Sequence, residues 1–381
     1  MRQPNTIYVA NTSRGKDSTA MLRAIQLMGW PLDMICSVDI WFDENTPAEL
    51  PPMVAFKNEY DAKVLDWFGI PVTRLCATKR ERERAVQTES VIHNGCHTAD
   101  CSTTGCTQNA TGSISKVSQT QTTHGASCSK TGQTGGTISR LTYTDIFYRT
   151  ITPRRERERE RRGAIYGFPI VKGQWCNASL KRNVLRGFQT SVARGARENS
   201  RTGRNLRLSC EASPVVSNLF QGGNPRPPLS LPQNEGQKTN IVHYIGIAAD
   251  EPLRIKKHID KPDKVLPLVQ IGWDEALCGL EATYMDMLSP TYTDGQMRDG
   301  CWFCHNQGVA QLRRLRKLYP DLWAKLLRLD LDSPVTFHAD GHTVHDFDRR
   351  FDAEDSGLID SKRPFRWAML DDDLQYNLFT D

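Results

Sequence analysis

The sequence predicts an α/β protein built on a doubly wound, mostly parallel sheet, with loop insertions and a small helical C-terminal part. Three observations predict it. Residues 5 to 80 alternate strand, helix, strand, helix, strand. A polar turn, Ser13-Arg14-Gly15-Lys16-Asp17-Ser18, joins the first strand directly to the first helix. The second strand, Met34 to Trp41, is apolar enough for a sheet covered on both faces.

The first strand covers about Thr6 to Asn11, and its helix runs from about Ser18 to Met28, where Gly29 and Pro31 stop it. Asp39 and Asp43 then fall near the C-terminal end of the second strand, the edge where open α/β sheets bind ligands. There they meet a ribose or a metal, or cap the chain. A helix over Ala48 to Phe68 ends at Gly69, and Pro71 to Leu75 starts the third strand. Later segments read as strands at Val242 to Ile247 and Val265 to Gln270, and as helices near Asp274 to Leu288 and Val309 to Leu329.

Composition interrupts this pattern twice. Residues 88–140 are rich in Thr, Ser, Gly and Gln, and residues 190–240 in Gly, Pro, Asn and Ser. Neither stretch carries enough apolar surface to offset its ordering entropy, so both read as insertions. The first holds Cys96, Cys101, Cys106 and Cys128 at spacings unlike a zinc knuckle. Residues 331–381 read as a peripheral tail. The Arg/Glu alternation at 154–162 reads as a solvated helix face or, more sharply, a nucleic-acid contact.

The chain has 381 residues and a net charge of +5, which permits anionic partners without requiring them. No apolar window is long enough for a membrane helix and no secretory signal is visible, so a cytoplasmic protein is expected. Eleven cysteines in such a chain point to metal-bound, catalytic or buried thiols rather than disulfides.

The turn at 13–18 is suited to phosphate. It aims backbone N–H groups and the positive end of a helix at one spot, Gly15 allows close approach, Ser13 and Ser18 add hydroxyls, and Lys16 adds charge. Asp17 after Lys16 separates it from a Walker A loop. The wording S-x-G-K-D-S resembles the pyrophosphate loop of the PP-loop ATP pyrophosphatases, which include the phosphoadenosine phosphosulfate (PAPS) reductase family. Further segments are similar to that family's signatures: Thr46 to Pro51, Trp175-Cys176 with Leu180-Lys181, Gly246 to Arg254 containing Asp250-Glu251, and Gly300-Cys301 with Cys304. They extend the resemblance over residues 6 to about 330.

The resemblance implies an adenine-nucleotide α-hydrolase-like, Rossmann-like fold and an enzyme that binds ATP and Mg²⁺. It would adenylate an unidentified small-molecule or nucleic-acid acceptor and release pyrophosphate, for sulfur or nitrogen transfer. Ser13, Arg14, Gly15, Lys16, Asp17 and Ser18 would hold the phosphates, supplemented by Lys181 and Arg254, with Asp39 near the ribose or metal. Asp250 or Glu251 would position Mg²⁺. Cys301 and Cys304, with Cys278 and Cys176, would bind zinc or a [4Fe–4S] cluster; spacing decides neither. Cys176 is either a ligand or a sulfur-relay thiol, and His305 is a further candidate ligand. Two other readings stay open: a sulfonucleotide reductase and a non-catalytic nucleotide- or nucleic-acid-binding module. The reductase's C-terminal E-C-G-x-H cysteine has no counterpart, since no cysteine follows Cys304.

Overall fold

A computed structural model of the chain describes residues 2–79, 139–152, 161–170, 174–202, 239–293, 300–362, 364–367 and 369–370. The first expected insertion, its cysteines and most of the Arg/Glu run at 154–162 lie outside these residues. The chain divides into a unit of Met1–Ala77 with Arg140–Asp381 and a unit of Thr78–Ser139. Of the second, Thr78, Lys79 and Ser139 are described.

Five strands form one sheet: β1 (Thr6–Asn11), β2 (Met34–Val38), β3 (Val72–Leu75), β4 (Asn240–Tyr244) and β5 (Lys264–Val265). Their order is β3-β2-β1-β4-β5 and every pair is parallel. Val9 pairs with Met34 on one side and His243 on the other, so β1 is central. Its alternate residues serve opposite faces, as the strand period demands. Tyr8 and Ala10 pack into a core with α1 (Lys16–Leu27) and α2 (Pro51–Phe68), while Ile7 and Val9 meet Val184, Leu185 and Phe188 of α5 (Asn183–Thr202). Both faces are therefore helix-covered, which explains the apolar strands. The order of the sheet reverses between β1 and β4, and a crevice forms beyond strand ends at such a point.

Three other short helices precede the C-terminal part: α3 (Tyr143–Phe147), α4 (Trp175–Asn177) and α6 (Pro252–Ile255). A π-helical turn, Ala178–Arg182, joins α4 to α5. Then come α7 (Pro267–Gln270), α8 (Glu275–Tyr284), α9 (Pro290–Thr293), α10 (Val309–Leu318), α11 (Pro320–Asp332) and α12 (Val344–Asp355).

Four expectations need correction. The segment expected as a strand over Val265 to Gln270 is strand for Lys264–Val265 only and then helix, because Pro267 suits a first helical turn and cannot donate to a ladder. The expected helix Val309 to Leu329 is two helices, split at Tyr319 where Pro320 starts α11. Helix α5 continues to Thr202, so the second loop cannot begin at 190. The expected peripheral tail is core: Phe337, Val344, Phe347 and Phe351 are buried with Trp302, Trp323 and Leu326. No described helix is long and apolar enough to cross a membrane.

Candidate functional site

The loop after β1 does form a turn into α1, and a cleft of about 1390 Å³ opens above it. Ser13, Gly15, Lys16, Asp17 and Ser18 line one wall with Gly246, Glu251, Arg254 and Glu275. Gly15 is the N-cap of α1 and no side chain caps that first turn, which leaves its N–H groups for a ligand. The Ser18 hydroxyl is committed inside the loop: it donates to the Gly15 carbonyl at 2.9 Å and is only 7% exposed. Thr12 and Thr19 bond the buried Tyr60 hydroxyl at 3.1 and 3.0 Å, which fixes the loop to α2. Gly246 permits the strand β4 to approach. A Cβ there would stand 2.9 Å from the Asp17 carbonyl oxygen.

Lys16 lies among acids, 2.9 Å from Asp17 and 3.2 Å from Glu275. Burial pulls its ammonium down, but these two carboxylates outweigh that and hold it above its ordinary value. Arg254, expected on the phosphates, donates to both oxygens of Glu251 at 2.6 Å. Asp17, Glu251 and Glu275 bring their carboxylates within 4.8 Å of one another. Asp250, expected with Glu251 as one of two candidate metal ligands, accepts the Glu275 backbone N–H at 3.2 Å. Glu275 was not expected from sequence; it lies on α8, far from the loop along the chain.

Arg14, expected on the phosphates, and Asp39, expected near the ribose or metal, are not among the residues lining the cleft. Arg14 has φ +65 and is 1% exposed, turned under the loop. Its guanidinium donates to both Asp61 oxygens at 2.9 and 3.0 Å and to Ser37 at 2.6 Å. Asp39 accepts from Lys57 at 2.9 Å and meets Arg14 at 3.4 Å. Burial pushes the Asp39 carboxyl up, and Lys57 and Arg14 more than reverse this, so it sits below the ordinary range. Asp43 caps its own turn through Asn45 and Thr46 and pairs with Lys325 at 2.9 Å.

A second cavity, about 350 Å³, collects Cys176, Cys301 and Cys304 with Lys181, His305 and Tyr143. Trp302 anchors it: its backbone N–H donates to Ala48 and its indole to Pro47 at 3.0 Å. Phe42, Tyr143, Trp302 and Phe303 stack around that anchor. Burial pushes the Cys301 thiol up to about 12 and raises Cys176 as well, against the pull of the Lys181 ammonium. The Tyr143 hydroxyl is buried and has no hydrogen-bond partner among the described residues. Lys181 is thus with the thiols rather than among the residues lining the large cleft, because the π-helical turn is wider and brings residue i+5 back toward the face of Cys176. Cys278 is not with them. It is buried on α8 in the core against α1, beside Lys16 and Asp17.

The two cavities share Asn306 and Gln311 as lining. Helix α10 also lines the large cleft, through Arg313, Arg314 and Lys317. Sequence reasoning passed over these cations, although the basic run 313–317 inside an expected helix was their signal. No protein-family model, curated protein or solved structure matches the chain.

Proposed function

We propose that this chain is an ATP-dependent adenylating enzyme of the PP-loop type, with an adenine-nucleotide α-hydrolase-like fold. One observation carries the reading: the Ser13–Ser18 loop opens α1 at the point where the strand order reverses, and it lines a cleft of about 1390 Å³. Backbone N–H groups of the uncapped first turn meet the β- and γ-phosphates there, with Lys16 as a point charge. Holding the pyrophosphate in this dipole-rich turn stabilises the charge that develops on the leaving group when an acceptor oxygen takes AMP.

Charge balance supports Mg²⁺ as the companion ion. Lys16 and Arg254 against Asp17, Glu251 and Glu275 leave this wall one negative charge, so a polyphosphate enters with a divalent cation that the three carboxylates accept. Lys16 and Arg254 are released from their acids as the phosphates arrive.

The thiol cavity fits an iron–sulfur cluster better than zinc. Three sulfurs on one zinc lie about 3.8 Å apart. Among the described residues the one ligand trio within 4.8 Å is carboxylate, so these thiols are spread more widely. A cluster gives each thiolate its own iron, and the orphaned Tyr143 hydroxyl finds an acceptor in it. Cys176, Cys301 and Cys304 would hold the group, with His305, which lines the same cavity, as the candidate fourth ligand in place of Cys278. Such a group supplies sulfur or a binding point for the acceptor, beside the activated carbon that the cleft presents.

The test is calorimetry of the anaerobic protein with ATP, with and without Mg²⁺, and with PAPS. The reading expects Mg²⁺-dependent ATP binding that Lys16→Ala weakens at least about tenfold. A preference for PAPS would overturn it and favour sulfonucleotide reduction.

A further inference from the structure

Of the described rings that line the thiol cavity, Tyr143 alone carries a hydroxyl. The residue is 1% exposed, and its hydroxyl is buried with no hydrogen-bond partner among the described residues. A buried hydroxyl left without a partner is destabilising, and phenylalanine fills the same ring space without that penalty. The neighbouring positions carry phenylalanine: Phe42, Phe147 and Phe303 all stand against the Tyr143 ring. The hydroxyl is therefore the feature that packing does not explain.

The ring cannot turn to find a partner elsewhere. Its centroid lies 4.3 Å from Phe303, 4.8 Å from Trp175, 6.1 Å from Phe147 and 6.2 Å from Phe42. The Tyr143 backbone N–H donates to the Trp41 carbonyl at 2.8 Å. Across the start of α3, the Thr142 N–H donates to the Asp145 carboxylate at 2.9 Å and the Asp145 N–H to the Thr142 hydroxyl at 3.2 Å. Backbone and ring are both held, so the hydroxyl is fixed in place. Cys176, Cys301 and Cys304 are all within electrostatic reach of it, Cys176 foremost. None of the three sulfurs is close enough to be its acceptor, and the cavity that all four residues line lies between them. The Cys176 sulfur also receives the Asn177 backbone N–H and the field of the Lys181 ammonium. Donors and positive charge thus gather where sulfur would carry negative charge.

We propose that Tyr143 is the hydrogen-bond donor to a sulfur of the iron–sulfur group held by Cys176, Cys301 and Cys304, and that this bond raises the group's reduction potential. The proposal rests on the cluster reading above. A tyrosine hydroxyl ordinarily titrates near pH 10, so it is a donor at neutral pH. One electron entering the cluster adds negative charge to its sulfurs, and a hydrogen bond to a more negative acceptor is stronger. The O–H therefore favours the reduced state, in line with the part that hydrogen bonds to sulfur play in setting cluster potentials. No covalent bond breaks, and the proton stays on the hydroxyl oxygen.

The test uses the full chain, reconstituted anaerobically with iron and sulfide, as wild type, Tyr143→Phe and Tyr148→Phe. Tyr143→Phe keeps the ring and its packing. Tyr148→Phe is the control, since the Tyr148 hydroxyl donates to Asp332 at 2.7 Å and the residue is not part of the cavity lining. Iron content, visible absorbance and a potentiometric titration with dithionite are read for each protein, and urea midpoints check folding. The proposal expects equal iron in all three. It expects reduction of Tyr143→Phe to be disfavoured about tenfold, a potential lower by about 59 mV for one electron, with Tyr148→Phe matching wild type. An unchanged potential in iron-loaded Tyr143→Phe, or the same shift in Tyr148→Phe, would overturn it. Iron lost from a folded Tyr143→Phe would overturn it too, because the hydroxyl would then be a ligand. A wild type that takes up no iron would sink the cluster reading and this proposal together, and iron content separates that result from failure of the proposal alone.

Discussion

Gly246 is the position at which the smallest change should cost the most function. A Cβ added there meets the Asp17 carbonyl oxygen at 2.9 Å, the Asp17 carbonyl carbon at 3.1 Å and the Ser18 Cα at 3.1 Å. All three are backbone atoms, so no side-chain rotation relieves the overlap. Ordinary contact begins near 3.4 Å, so the loop or the end of β4 must move by several tenths of an ångström. Neither moves freely: Tyr60 pins Thr12 and Thr19, and β4 pairs with β1 over five residues. Overpacking of this kind costs about 1–3 kcal/mol. If the loop absorbs the shift, the nucleotide loses about the same, and about 1.4 kcal/mol is tenfold in affinity. Calorimetry with MgATP on Gly246→Ala should therefore show a dissociation constant raised about tenfold or more, with a modest fall in the urea midpoint. Gly272→Ala is the control for stability alone, since it has positive φ, open space around it and no place in the cleft. Wild-type nucleotide affinity in Gly246→Ala would refute the claim that this close approach sets the loop.

Arg14→Ala should destabilise the fold by about 3 kcal/mol, because it strips a buried partner from Asp61 while Arg74 stays at 2.6 Å. Arg14→Gly should regain about 1 kcal/mol of that, since φ +65 suits glycine, and denaturant melts compare the two. Both variants should still bind MgATP, which a phosphate-contacting Arg14 would not allow. On the cluster reading proposed above, Cys176→Ser and Cys301→Ser should lower iron content and visible absorbance, whereas Cys278→Ser should leave both unchanged; equal iron content in all three variants would refute it. In acid, Asp39, Asp43, Asp346 and Glu354 matter together: burial raises each, yet ion pairs and hydrogen bonds hold all four below their ordinary values. Their contribution is present above the unfolded carboxylate range of about 4 and fades as pH falls through the folded values, so urea midpoints should drop from about pH 5 downward and Glu354→Gln should flatten part of that drop.

The legible parts were those written in local pattern. The apolar run Ile7–Ala10 and the Gly15-Lys16-Asp17 turn announced β1, the loop and α1 together, and Glu251 with Arg254 line the same cleft. What escaped depended on partners distant in the chain. Arg14 turned inward because Asp61 lies under the loop, 47 residues on. Glu275 joined Asp17 because α8 packs on α1. Lys181 moved to the thiols because of one π-helical turn, which no residue spacing announces. Cys278 and Cys176 look alike in sequence, yet α8 buries one in the sheet core and the π turn delivers the other to the cavity. The tail was missed because its aromatics are spaced too sparsely to read as core until Trp302 and Trp323 stand against them.

That tail has a physical bearing on the cleft. Helix α10 alone would set Arg313, Arg314, Arg316 and Lys317 side by side, a repulsive array on one short helix. Helix α12 resolves it by taking Arg316 into three carboxylates and lending Glu354 to Arg313. The buried Phe347 and Phe351 fix α12 in that place, and the Trp323 indole donates to Asp348 at 2.7 Å to align the acids. The result is a helix whose Arg316 and Arg313 are both held by carboxylates of α12.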